Sequence, residues 1–314
     1  MQNKKIDMNK VALIIIYNHR YDKNIDVLEN IYNERFSYIF HLVPFYNGSK
    51  SNVIPVYENS HYFQGYIAQG FKNYFNDSFT HYFFIGDDVL LNPIINENNY
   101  EKHLKLNSET SFLPGFISFH ETNGFWDRSP EAYYYKPKIS GIEINNQLPN
   151  YETSMQKFNH HNLTIKPLNF DQITKKKEFP KNFKIGRLFA YIKWKINRIK
   201  NRNTKYNLAY PLVGSYSDIF VVSSKSIKQF CHYCGIFAVT KLFVEIGLPT
   251  ALVLSSDEIV TEKDLKLQGR ALWVKEDFEI LNKYNNQLDK ILVDFPKEYL
   301  YLHPIKLSKW KINI

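Results

Sequence analysis

Cysteine is nearly absent: the chain has two in 314 residues, Cys231 and Cys234, arranged as CHYC. One CxxC is a redox pair or half of a zinc site. No second Cys or His pair at finger spacing lies nearby, and both flanks (IKQF and GIFAVTKLF) read as helix. The pair is therefore read as two buried thiols. Long apolar runs are also missing. No stretch reaches the roughly 18 apolar residues of a spanning helix, so none is expected. The opening MQNKKIDMNK has neither an apolar core nor a small-residue cleavage site, so no secretory signal is expected and the cytoplasm is the expected compartment. Acids are scarce in one place only. Between Lys175 and Lys205, twelve Lys or Arg accompany a single acid, Glu178, giving +11 and leaving −2 for the remainder of a +9 chain. The basicity belongs to one element.

What is present is apolar and aromatic. A hydrophobic content of 44% and an aromatic content of 16% suffice for a substantial core at this length. Residues 11–17 (VALIIIY) read as a buried strand from their β-branched run, with Asn18, His19 and Arg20 directly after it. Residues 22–33 read as a helix, 36–44 as a strand, and 53–57 (VIPVY) as a short strand whose proline indicates an edge or an end. Residues 63–75 read as a helix despite Gly65 and Gly70. This β-α-β-β-α-β order over residues 10–92 predicts an α/β fold with a mostly parallel, doubly wound sheet, followed by helical and loop-rich C-terminal additions.

The organising stretch is HYFFIGDDVLLNP, residues 81–93. Its apolar run reads as a strand buried on both faces. It ends in Gly86, Asp87 and Asp88. Two adjacent carboxylates at a buried strand end are costly unless something pairs with them, and in open α/β sheets that end is where ligands bind. The bland reading is a turn with one Asp capping a helix. The chemical reading is a divalent cation on a diphosphate, since hard cations take carboxylate and phosphate oxygens.

Further along, 111–119 and 216–223 read as strands. Residues 120–170 read as long loops over the C-terminal edge of the sheet, with Trp126, Asp127 and Arg128 as candidate substrate contacts. Residues 230–254 read as a helix broken near Gly247–Pro249, and 278–293 as a helix. Residues 183–200 are amphipathic: Ile185, Leu188, Phe189, Ile192, Ile196 and Ile199 share a helical stripe, with Lys and Arg around it. That is the profile of a helix lying in a membrane interface; the alternative is a core-packed helix with a solvated outer face. The N-terminal part, 1–120, reads as the ligand-binding half of one continuous domain, and 121–314 as the half that carries the amphipathic helix and a C-terminal segment returning to the site.

A strand ending in an acidic motif after two β-α units resembles the GT-A class of nucleotide-sugar glycosyltransferases, of the kind that builds bacterial surface glycans. The likeness covers residues 10–92 and returns at Leu302-His303-Pro304-Ile305-Lys306, with Lys309 and Trp310 after it. It implies a divalent metal, Mn²⁺ or Mg²⁺, held by Asp88, Asp87 and His303. It implies a nucleotide-sugar donor contacted by Tyr17, Asn18, His19, Arg20, Asp87, Lys306 and Lys309, and a glycan or lipid-linked acceptor. The chain departs from the pattern at Gly86, where the class carries its first carboxylate. Asp88 is then the principal ligand, and without metal Arg20, Lys306 and Lys309 would neutralise the diphosphate. An inverting reaction needs a carboxylate base. Glu245, in the apolar stretch LFVEIGLPTAL, and Asp218, in GSYSDIF, are preferred over Asp257 and Glu258. An anionic membrane surface is a further expected partner of 183–200, at the inner face of the membrane. Nucleic acid is the rival partner for 175–205, and a non-catalytic nucleotide-binding scaffold is the third reading. A nucleotidylyltransferase would carry glycines after the first strand, where this chain has none.

Overall fold

The structure is a computed structural model that describes residues 10–122, 126–144, 146–180 and 184–311. The opening residues 1–9 and Phe183, the first residue of the expected amphipathic helix, lie outside the described residues. The strands are β1 (Lys10–Ile16), β2 (Tyr38–Pro44), β3 (Val53–Val56), β4 (Phe79–Gly86), β5 (Leu90–Leu91), β6 (Thr110–Phe112), β7 (Ile219–Ser223), β8 (Glu258–Val260), β9 (Gln268–Ala271) and β10 (Tyr299–His303). The α-helices are α1 (Lys23–Tyr32), α2 (Gln64–Tyr74), α3 (Tyr100–Leu104), α4 (Arg128–Tyr134), α5 (Tyr151–His160), α6 (Phe170–Ile173), α7 (Ile185–Lys200), α8 (Ile227–Val239), α9 (Val244–Ser255) and α10 (Leu288–Val293).

Seven strands form the central sheet in the order β3-β2-β1-β4-β7-β6-β8. All run the same way except β7, which is antiparallel to both β4 and β6. The expected α/β architecture with a mostly parallel sheet is present. β3 is an edge strand, as Pro55 indicated. The unbroken apolar runs of β1 and β4 are explained by burial on both faces. Along β1, Ala12, Ile14 and Ile16 enter a core with α2, α8 and α9. Val11, Leu13, Ile15 and Tyr17 enter a second core with α1 and the C-terminal segment. The 121–314 half supplies β7 and β8, so both halves share one sheet.

A small second sheet, β5-β10-β9, ties the C-terminal segment to the residues just after Asp88. β10 pairs antiparallel with β5 and parallel with β9.

Four expectations need correction. The strand expected over 111–119 is β6 alone and ends at Phe112, two residues before Pro114, which has no N–H for a ladder. Residues 120–170 contain α4 and α5, and α6 begins at Phe170, rather than loops alone. α5 buries only Ser154 and Phe158, too few for a helical apolar period, and its start is made by Asn150 accepting from the Thr153 N–H. The break in 230–254 lies between α8 and α9, around Lys241 with φ +58°, while Pro249 sits inside α9. Pro249 has no N–H to offer the Glu245 carbonyl one turn back, and that oxygen accepts the Ser215 N–H instead, at 2.9 Å. Residues 278–293 split into a 3₁₀ segment (Lys275–Tyr284) and α10, because Asn285 and Asn286 both adopt positive φ. Cys231 and Cys234 are buried free thiols, with the Tyr74 hydroxyl 3.3 Å from Cys231 Sγ.

Candidate functional site

The backbone at the end of β4 builds the site. The Gly86 N–H donates to the Asp218 carbonyl at 2.8 Å, and the Asp87 N–H donates to the Ile16 carbonyl at 2.9 Å. The chain then turns at Asp88 into β5. Because β5 pairs with β10 and the Ile305 N–H donates to the Asp88 carbonyl at 2.7 Å, the end of β10 is delivered to the acidic turn. His303 Nε2 lies 3.1 Å from Asp88 Oδ1 and 4.0 Å from Asp218 Oδ1. Three parts of the chain far apart in sequence thus meet beyond the C-terminal end of the central strand. Gly86 has a local reason: a Cβ there would lie 3.3 Å from Asp88 Oδ1 and 3.7 Å from the Asp218 Cβ. A side chain at position 86 would crowd the site, and Asp218 supplies the additional carboxylate from β7's approach.

The electrostatics follow from burial. Asp87 is 5% exposed; burial and then the adjacent Asp88 raise its pKa to about 7, against the Asn24 side chain and backbone hydrogen bonds that favour the anion. Asn24 Nδ2 donates to Asp87 Oδ2 at 3.2 Å. Burial also raises Asp218 to about 6; His303 opposes this, while Asp88 and Glu245 add to it. Burial pulls His303 down, but Asp88, Asp218 and Asp87 outweigh it and its pKa is raised. The Tyr216 hydroxyl is hydrogen-bonded to His303 Nδ1, which leaves Nε2 facing the carboxylates.

A cavity of about 200 Å³ opens here, lined by Asn18, His19, Tyr21, Asn24, Asp87, Asp88, Lys306, Leu307 and Ser308. Five residues singled out from the sequence (Asn18, His19, Asp87, Asp88 and Lys306) therefore share one wall set, with His303 against it. The other candidates sit elsewhere. Tyr17 is fully buried and its hydroxyl meets His41 Nδ1 at 3.0 Å; it is part of the core beneath the Asn18–His19 loop. Arg20 does not line the cavity. It pairs with Asp22 at 3.1 Å and donates to Asn47. Lys309 is exposed on the 3₁₀ turn Leu307–Lys309, outside the lining. Glu245 is ion-paired with Arg128 at 3.1 Å. Its pKa is raised by burial, with Arg128 opposing. Arg128 also reaches Glu131 and lies over the Phe243 ring at 3.5 Å. Trp126 stacks on Phe119 and occupies the space that a Cβ at Gly214 would enter, at 2.7 Å. Asp127 is exposed at the start of α4. Asp257 pairs with Lys157 at 3.0 Å and lines a separate cleft with Glu258.

Sequence reasoning missed Asn24, Tyr216 and Trp273. Tyr216 stands two residues before Asp218 in the segment that leads into β7, and both side chains reach His303. Asn24 falls in the first turn of α1, directly after the β1 loop that the ligand-binding rule marks. Trp273, 5.8 Å from His303 between ring centroids, follows β9 and had no sequence signal.

The donor chemistry fits a divalent cation. Asp88 Oδ1 is buried and makes no hydrogen bond of good geometry, with His303 Nε2 3.1 Å away; a carboxylate oxygen and an imidazole that gives up its proton are ordinary ligands for such ions. Among the described residues no three His, Cys, Asp or Glu side chains form a complete metal-holding group. A ligand's own phosphate oxygens and water commonly complete such shells. Compared with family models, with characterised proteins and with solved structures, the chain finds no match.

Proposed function

We propose that this chain is a GT-A-like glycosyltransferase that moves a sugar from a nucleotide-sugar donor to a hydroxyl of a glycan acceptor. The observation that carries the reading is the meeting of Asp88, at the end of the central strand, with His303 from the last strand, beside a cavity lined by the β1 loop and Lys306. A nucleoside diphosphate needs a polar loop for its nucleoside and concentrated positive charge for its phosphates. Asn18, His19 and Asn24 supply the first, and Lys306 part of the second. Asp88 and His303, with Asp87, would hold a divalent cation, which when bound neutralises charge on the leaving diphosphate. Tyr216 holds the His303 ring in place from behind.

The acceptor hydroxyl must lose its proton to a carboxylate in an inverting transfer. Asp218 suits this role better than Glu245. Its carboxylate faces the site beside His303, whereas Glu245 is engaged by Arg128.

The test is a thermal-shift panel of nucleoside diphosphates and nucleotide sugars with Mn²⁺, Mg²⁺ or EDTA, on the wild type and on Asp88→Ala. A ligand that binds only the folded state raises the midpoint by mass action. The expected result is a metal-dependent shift with one nucleotide class, lost in Asp88→Ala while the unliganded variant still unfolds cooperatively. A shift unaffected by EDTA would move diphosphate binding to Lys306. No shift with any nucleotide would overturn the proposal.

A further inference from the structure

α7 alone among the α-helices of the described residues buries none of its side chains. Its apolar stripe is outside. Ile185, Phe189, Ile192, Ile196 and Ile199 are between 43% and 72% exposed. With 3.6 residues per turn these five and Leu188 fall within an arc of about 100°. A different side ties the helix to the body: Arg198 makes a two-point pair with Asp171 on α6, and Tyr191 and Trp194 pack toward Phe179 and the Arg198 guanidinium. Lys193 and Lys200 flank one edge of the stripe, Lys184 and Lys195 the other. At the C-terminal end, Arg202 and Lys205 line a cleft of about 550 Å³ together with Ile199 and the Arg198–Asp171 pair.

We infer that α7 docks the protein on an anionic phospholipid bilayer, with the isoleucine and phenylalanine stripe at the acyl boundary and the flanking cations, with Arg202 and Lys205, on the phosphate headgroups. An amphipathic helix with a cationic polar face binds an interface by this combination of apolar burial and charge. The alternatives satisfy only half of the surface. A nucleic acid would use the cations but leave the aliphatic stripe in water, and Phe189 is the one ring in that stripe on which a base would stack. A second copy of the chain would cover the stripe but bring two +11 segments together. The inference concerns a surface apart from the cavity and does not depend on glycosyl transfer.

The experiment is co-sedimentation of the full chain with phosphatidylcholine vesicles and with mixed phosphatidylcholine–phosphatidylglycerol vesicles, alongside fluorescence anisotropy with a single-stranded oligonucleotide. The expected result is partition onto the anionic vesicles only, weakened by salt. The triple variant Lys193→Gln/Lys195→Gln/Lys200→Gln should bind about 100-fold less tightly, at about five-fold per charge. Phe189→Ser/Ile196→Ser should lose at least ten-fold with the charge unchanged, because apolar burial contributes separately. These side chains are exposed, so the thermal midpoint of each variant should match the wild type. Absence of anionic-vesicle binding, binding unaffected by Phe189→Ser/Ile196→Ser, or oligonucleotide binding without vesicle binding would each overturn the inference.

Discussion

Acidification tests the core beneath the β1 loop, and His41 is the group to follow. It is fully buried, with Tyr17 on Nδ1 and no hydrogen-bond partner on Nε2. Burial lowers its pKa from 6.5 to about 4, and Glu29, 3.6 Å away, recovers only part of this. Below pH 6.5 the unfolded chain therefore takes up a proton that the folded chain refuses until about pH 4. Stability linked to His41 is complete above pH 6.5 and is lost as pH falls through that window. The gap amounts to about 3 kcal/mol. Asp87 and Asp218 run the other way. Their folded pKa values of about 7 and about 6 exceed the ordinary 3.8, so they stabilise the fold on acidification and flatten the wild-type curve. His41→Asn isolates the effect, since asparagine keeps an acceptor near the Nδ1 position and does not titrate. Its packing cost is the same at every pH. Urea unfolding of both proteins from pH 7.5 to 4.5 should show the stability difference moving by about 2.5 kcal/mol in favour of the variant. Parallel curves, with a difference constant to within about 0.5 kcal/mol, would refute the assignment of a neutral buried His41.

Three substitutions probe the site itself. In a glycosyl-transfer assay with the donor found by thermal shift, Asp218→Asn should lower kcat by about 10²–10⁴-fold, the usual contribution of a general base. Glu245→Gln should act mainly through the Arg128 contact, with a smaller kcat loss, and equal losses would remove the distinction. Gly86→Ala would place a methyl 3.3 Å from Asp88 Oδ1; it should weaken metal-dependent nucleotide binding, measured by calorimetry, with about 1 kcal/mol or less of stability lost. Unchanged affinity would mean that Asp88 is free to move away.

Local pattern was enough wherever one residue type could satisfy only one environment. The apolar runs of β1 and β4 have no polar face to show to water, so they belong in the middle of a sheet. Pro55 removes a ladder donor, so its strand belongs at an edge. Asp87 and Asp88 after such a run, and His303 near the end, are chemically conspicuous without any coordinates. Pairing between distant residues was not readable in this way. Glu245 looks like an isolated acid in an apolar stretch until Arg128 is seen beside it. Tyr17 looks like a loop aromatic until it is found under the loop, bonded to His41. Pro249 looks like a helix break until the Ser215 N–H is found on the carbonyl it leaves free.

By itself, then, the sequence determined the apolar runs of β1 and β4, the edge position of β3 and the one basic amphipathic element, because each depends on burial or charge within a few neighbouring positions. The tertiary structure alone decided that β5 and β10 pair, and hence that His303 meets Asp88 and Asp218. It also decided that the apolar stripe of α7 faces outward rather than into the core. Both outcomes depend on which surfaces the rest of the chain covers, a property that no local window of residues contains.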